Sequence, residues 1–199
     1  MARPNQDREG LFSPLLSRWR LGRVLAHIPP AARVLDGGCG SGRLCTLLPA
    51  GCCYVGADTA PPTQREGAGC DTVFVAADLT ADEDLARLRE QGPFDVIVLS
   101  AVVEHFDDPA GLLQRLAPYL APDGAFVLTT PSPRIRRLHE FGGRLGLFSR
   151  HGAEQHKLLL DRAALEELAA RAGLHMAAYE TFQFGLNQLA VLRPAARDA

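Results

Sequence analysis

The chain has 199 residues, 47% hydrophobic and 22% charged, with a formal net charge of −2. This is the composition of an ordinary globular domain; it excludes fibrous or disordered chains, and it supplies no global basic field to draw the protein onto nucleic acid. The longest nearly unbroken apolar run, residues 96–103 with Ser100 inside it, is far short of the roughly 18 residues a membrane span needs.

In chain order, residues 11–27 carry apolar side chains at helical spacing, with Arg18, Arg20 and Arg23 among them and Pro29-Pro30 as the stop. Residues 32–35 predict a short strand running into Asp36 and a glycine cluster, and residues 44–48 a helix cut by Pro49. Strands are predicted at 53–57, ending at Asp58, and at 73–76, ending near Asp78. Residues 82–90 predict a helix with acids in its first turn, where the helix dipole favours them. FDVIVL at 94–99 is a continuous apolar run, the pattern of a strand buried on both faces of a parallel sheet. A helix at 109–120, closed by a Pro122-Asp123-Gly124 turn, precedes a fifth strand at 125–130. Residues 131–157 lose regularity and turn basic. A helix follows at 161–172, with Asp161 as N-cap and Gly173 after its end. Strands at 175–184 and 188–192 flank a hairpin signal. Alternation of strands and helices argues for one α/β domain with a parallel sheet.

The first ten residues are polar, with no apolar leader. The five cysteines (Cys39, Cys45, Cys52, Cys53 and Cys70) form no C-x-x-C pair and have no histidines at zinc spacing. Reduced, mostly buried thiols of a cytoplasmic protein are the expectation.

VLDGGCGSG at 34–42 is the strongest signal. Glycine serves where backbone takes positive φ or approaches a ligand closely, and in an open α/β sheet this turn lies at the carboxyl ends of the strands, where ligands bind. The spacing is D-x-G-x-G-x-G: counted from Gly38, the sixth position of a dinucleotide fingerprint is Arg43. A ligand without phosphate but with ammonium, sulfonium, ribose diol and adenine amine suits three carboxylates instead. Asp36 can anchor the loop and offset positive charge, Asp58 can accept both ribose hydroxyls, and Asp78 can accept the adenine amine with the Leu79 amide beside it. S-adenosylmethionine is one ligand that carries these groups.

With VGAD at 55–58, AADL at 76–79, FDVIVLSAVVEHFDDP at 94–109 and LAPDGAFVLTTPSP at 120–133, the chain resembles the class I S-adenosylmethionine-dependent methyltransferases, of the small-molecule type. The resemblance implies a Rossmann-like, doubly wound seven-stranded sheet with an antiparallel last strand and helices on both faces. Residues 1–30 become a helical cap of the same domain, 31–199 the methyltransferase domain and 131–157 a lid. It implies that Asp36, Gly37, Gly38, Cys39 and Gly40 line the methionine side, Asp58 and Thr59 the ribose, Asp78 and Leu79 the adenine, and that Ser100 and Ala101 border the sulfonium.

Glu104 and His105 follow the fourth strand, where such enzymes hold the acceptor. A neutral imidazole takes protons near neutrality, so His105 is a candidate general base, with a structural histidine bonded to backbone as the alternative. Some relatives hold a divalent metal with E-x-x-E-H and a later histidine. Here Glu104, His105 and His156 remain, but Ala101 replaces the first glutamate, and no metal is expected. In the lid, Arg134 and Arg137 with Phe141 and His156 are candidates for binding an acidic acceptor; a peripheral membrane patch and a plain solvated loop are the other readings. The expectation is an S-adenosylmethionine-dependent O-methyltransferase of a small molecule, with no nucleic-acid partner, as monomer or homodimer. A catalytically degenerate cofactor-binding protein and a nucleic-acid methyltransferase are the alternatives.

Overall fold

In a computed structural model of the chain, residues 13–63, 71–134 and 159–195 are described. In chain order the elements are α1 (Ser13–Leu25), β1 (Arg33–Gly37), β2 (Cys53–Asp58), β3 (Asp71–Ala76), α2 (Asp82–Arg89), β4 (Phe94–Ser100), α3 (Pro109–Leu116), β5 (Leu120–Pro131), α4 (Arg162–Arg171), β6 (Leu174–Phe182) and β7 (Asn187–Pro194). The strands make one seven-stranded sheet in the order β3-β2-β1-β4-β5-β7-β6. Strands β1 to β5 pair in parallel, and β7 runs antiparallel between β5 and β6. The strand order turns back at the β1–β4 pair, and crevices form beyond the carboxyl ends of strands at such a reversal.

Strand alternation builds two cores, because successive side chains point to opposite faces. Val34, Val96, Val98, Val127, Leu189 and Val191 face Leu21 and Val24 of α1. Leu35, Ile97, Leu99, Phe126, Leu128 and Leu192 face Leu85, Leu88, Leu113, Leu116, Leu165 and Leu168 of α2, α3 and α4. Both faces of the sheet are therefore covered, as the uninterrupted apolar run of β4 requires.

Three local expectations shift. The helix expected at 44–48 is a single 3-10 turn, Arg43–Thr46, because the left-handed Gly42 and Pro49 leave room for one turn only. The helix expected to reach residue 120 ends as α-helix at Leu116 and continues as a 3-10 turn, Ala117–Tyr119; Pro118 has no N–H for an i→i−4 bond. The Pro122-Asp123-Gly124 turn lies inside β5 rather than before it. Leu120 pairs with Phe94 and Ala125 with Val96, so the extra residues bulge out of the ladder. The capping expectations hold: the Asp161 carboxylate accepts from the Ala164 N–H at 2.9 Å, and Gly173 is left-handed at φ 71°.

Candidate functional site

The glycine bend is folded over the end of β2 by its own amides. The N–H groups of Gly38 and Cys39 both donate to the Ala57 carbonyl, at 2.7 and 3.0 Å. The Gly40 N–H donates to Asp58 Oδ2 at 2.9 Å, and the Ala60 N–H to Asp58 Oδ1 at 3.2 Å. Asp58 thus clamps the loop from the next strand while facing the crevice.

Two recesses meet at Gly38. The larger, about 380 Å³, is lined by Asp58, Thr59, Asp78, Leu79, Ala101, Val102, His105 and Phe106. The smaller, about 150 Å³, is lined by Ser17, Arg20, Asp36, Cys39, Ser41, Arg43 and Ser100. Wider depressions of about 850 and 870 Å³ involve Asp95, Pro122 and Asp123, or Gly173 and Pro194, towards the amino ends of β4 and β5. Strand topology puts ligands at the other end of the sheet.

Electrostatics differ sharply between Asp36 and Asp78. Asp36 is 5% exposed; burial pushes its carboxyl up to about 7, the Tyr54 hydrogen bond opposing and the charge of Asp58 adding. That hydrogen bond, from Tyr54 Oη to Asp36 Oδ2, is 2.7 Å long. The neighbouring Cys39 thiol is pushed up to about 12, by burial first and then by Asp36 and Asp58, so it stays a neutral thiol. Asp78 is exposed. The hydroxyl and N–H of Thr80 donate to its Oδ1 at 2.7 and 2.8 Å and hold its carboxyl below the usual range. A buried, readily protonated acid therefore sits at the smaller recess, and an ionised one at the rim of the larger.

After β4 the chain turns sharply. Ala101 is left-handed at φ 58°, its N–H donating to the Thr129 carbonyl at 2.8 Å, and the Ser100 and Thr129 hydroxyls are 3.0 Å apart. In the following 3-10 turn, Val103–His105, the two expected catalytic residues separate. His105 is exposed and lines the larger recess with Asp58 and Asp78. Glu104 is 0% exposed and lines neither recess.

Comparison with known proteins decides the family. Residues 8–179 match the sequence model of a family described as "Methyltransferase domain". A ubiquinone biosynthesis O-methyltransferase of Xylella fastidiosa is 32% identical over 184 residues, covering 85% of this chain and 73% of that protein. The chain belongs to the class I S-adenosylmethionine-dependent methyltransferases. A ubiquinone biosynthesis O-methyltransferase of Xanthomonas campestris is 34% identical over 131 residues, 62% of this chain; the match spans only 54%, about half, of that relative's length. Among solved structures, a magnesium protoporphyrin IX methyltransferase from Synechocystis with bound S-adenosylhomocysteine superposes with a TM-score of 0.65 at 17% identity, covering 96% of this chain and 90% of that one. A methyltransferase of calicheamicin biosynthesis, also with bound S-adenosylhomocysteine, gives 0.69 at 18%, covering 94% and 56%. At such identities the likeness is one of fold.

In this family member, Asp36, Gly38, Cys39 and Ser100 meet at the smaller recess, and Asp58, Thr59, Asp78, Leu79 and Ala101 at the larger. Gly37 is buried at the end of β1, and Gly40 is tied to Asp58. Of the N-terminal arginines, Arg20 lines the smaller recess, whereas Arg23 pairs with Glu180 at 3.1 Å. Burial lowers the Arg20 pKa, and the Glu104 charge opposes that shift. Sequence reasoning missed Tyr54, Thr80, Val102 and Phe106, although Val102 and Phe106 both stood inside the quoted motif at 94–109. Arg134 lies beside Gly185, with its Nη1 2.6 Å from where a Cβ on that glycine would be. Arg137, Phe141 and His156 lie outside the described residues. The donor set for a divalent metal is incomplete: Ala101 offers no oxygen, Glu104 is buried away from the recess, and no group of three ligating side chains converges among the described residues. No helix among the described residues is long and apolar enough to cross a membrane.

Proposed function

We propose that this chain transfers the methyl group of S-adenosylmethionine to a hydroxyl oxygen of a small-molecule acceptor. One observation carries the reading: Gly38 borders both recesses, so a buried acid on one side and two acids on the other flank one bent path at the carboxyl ends of β1 and β2 and beyond β3. The donor set fits the cofactor. Asp36 suits the cationic methionine end, Asp58 the ribose diol and Asp78 the adenine amine, while Leu79, Val102 and Phe106 give apolar cover to a base. When bound, S-adenosylmethionine supplies a methyl carbon made electrophilic by its sulfonium.

The chain's own residues do the rest by placement. The Asp58 clamp and the Ala57 carbonyl fix the glycine bend before ligand arrives, so little is lost in ordering it. The turn at Ala101 marks where the acceptor approaches, and holding reactants in line is worth up to about 7–11 kcal/mol in model reactions. His105 lines the recess beside Ala101, where a ring nitrogen would take the proton that the acceptor hydroxyl gives up on methylation. The naming of relatives as ubiquinone biosynthesis O-methyltransferases supports oxygen over nitrogen as the acceptor atom.

The test has two stages. Calorimetry with S-adenosylhomocysteine should give a saturable heat. Transfer of labelled methyl to a panel of small phenols and other hydroxylated compounds should then fall by roughly 10²–10⁴ in His105→Ala. Absence of both heat and transfer refutes the proposal; transfer unaffected by His105→Ala refutes the role of that residue.

A further inference from the structure

Tyr54 stands on β2, one residue before the VGAD motif, and is 0% exposed. A buried phenol needs a hydrogen-bond partner, and this one finds it on the neighbouring strand. In the parallel register Tyr54 lies beside Val34, whereas Asp36 lies beside Gly56. The ring therefore has to run along its own strand, over residue 56, to reach the carboxylate. Glycine leaves that path open: a Cβ on Gly56 would lie 2.9 Å from Tyr54 Cε1 and 2.8 Å from Phe74 Cδ1. The hydroxyl arrives at Asp36 Oδ2 at 2.7 Å.

Phe74 closes the arrangement from β3. It pairs with Gly56 in the β2–β3 register and meets Tyr54 edge-on, with ring centroids 5.8 Å apart. It also packs against the bend, where a Cβ on Gly42 would lie 2.6 Å from its Cε1. Edge-to-face contact fixes ring orientation, so the phenol is aimed by its neighbours rather than free to swing. Asp36 needs such a donor. It is buried, and Asp58 adds a like charge from the end of β2. Cys39 in the bend stays a neutral thiol, and Arg20 of α1 and Arg43 beyond the bend line the same recess. Burial and the adjacent acid keep the phenol itself protonated, hence a donor, and a donor to a carboxylate favours the ionised form.

We propose that Tyr54 is a positioning residue for cofactor capture: through the opening at Gly56 its hydroxyl orients the Asp36 carboxylate beneath the glycine bend and keeps it anionic for the ligand's ammonium. The inference rests on the cofactor reading above and adds a residue that lines neither recess. Its consequence is a pH dependence. Asp36 gives up its proton at about 7, so affinity for a cationic amino-acid end should rise with pH through that value. Without the phenol the carboxyl holds its proton to higher pH, and the rise should move up with it.

Two measurements on the full chain test this. Carbon-13 NMR of the ligand-free protein follows the Asp36 carboxyl, its signal identified by its loss in Asp36→Asn. The titration midpoint in Tyr54→Phe should lie about one pH unit or more above wild type, the scale of a hydrogen bond to a charged group. Gly56→Ala should move it in the same direction, because the added methyl blocks the path of the ring. Calorimetry should show Tyr54→Phe binding S-adenosylhomocysteine about tenfold more weakly than wild type at about pH 6 and within about twofold at about pH 8.5. 5′-Methylthioadenosine, which shares the nucleoside and thioether but lacks the ammonium, should bind both proteins within about twofold at either pH. Adding Tyr54→Phe to Asp36→Asn should leave S-adenosylhomocysteine affinity unchanged. A phenol that merely fills space gives losses independent of pH and equal for the two ligands. That result, or an Asp36 midpoint unmoved in Tyr54→Phe, would overturn the assignment. Wild-type protein that binds neither ligand would overturn the cofactor reading itself, and this inference with it.

Discussion

Gly38→Ala perturbs the one position that borders both recesses. Gly38 sits at φ +72°, and a Cβ there would lie 2.6 Å from Val102 Cγ2 and 3.4 Å from Cγ1. A non-glycine residue in the left-handed region costs about 1–2 kcal/mol. Forcing a methyl into an occupied site adds about 1–3 kcal/mol. Val102 has little room to retreat: it is 8% exposed and follows Ala101, itself left-handed. The expected loss of stability is therefore about 2–5 kcal/mol. Gly40 is the internal control, with φ +52° and nothing within 4 Å of its built Cβ. Gly40→Ala should cost only the conformational part, about 1–2 kcal/mol. Adding Val102→Ala to Gly38→Ala should leave the double variant more stable than the two single losses predict, by about 1–3 kcal/mol. Urea denaturation measures all four variants. Equal losses at Gly38 and Gly40, or strict additivity with Val102→Ala, would refute the steric account of this bend.

Asp36 predicts a slope in stability against pH. Folded Asp36 holds its proton up to about 7, whereas the unfolded carboxyl releases it near its ordinary 3.8. Between those values the folded state binds the extra proton, so stability falls as pH rises through the window. Asp36→Asn should remove this slope, worth on the order of a few kcal/mol over the interval; a wild-type-minus-variant difference that is flat with pH would contradict it. Asp58→Ala should weaken S-adenosylhomocysteine by about 1.5–3 kcal/mol, since it loses charge-assisted acceptors for the ligand as well as for the Gly40 and Ala60 amides. Unchanged calorimetric affinity would dismiss the ribose placement.

Much was legible along the chain because its signals are local. The run at 94–99 had to be a strand covered on both faces, and it is β4 at the centre of the sheet. Asp161 and Gly173 bracket α4 as their capping chemistry demands. Acids at the ends of β1 and β2 and just after β3 came to one crevice, because parallel strands bring their carboxyl ends to one edge. The ends of elements were less legible: Pro118 shortened α3, and the turn at 122–124 was absorbed into β5 by pairing with β4, a non-local event.

Sequence by itself determined the alternation of strand and helix, the glycine bend and the acids beside it, since each depends on backbone geometry and residues within a few positions. Tertiary structure alone decided which arginine reaches the crevice, that Tyr54 donates to Asp36, and that the neighbours Glu104 and His105 part company, one into the interior and one into the recess. The reason is physical. Burial and charge partnership arise from segments far apart in the chain, here α1, β2 and the turn after β4, and no spacing within one segment encodes where another will lie.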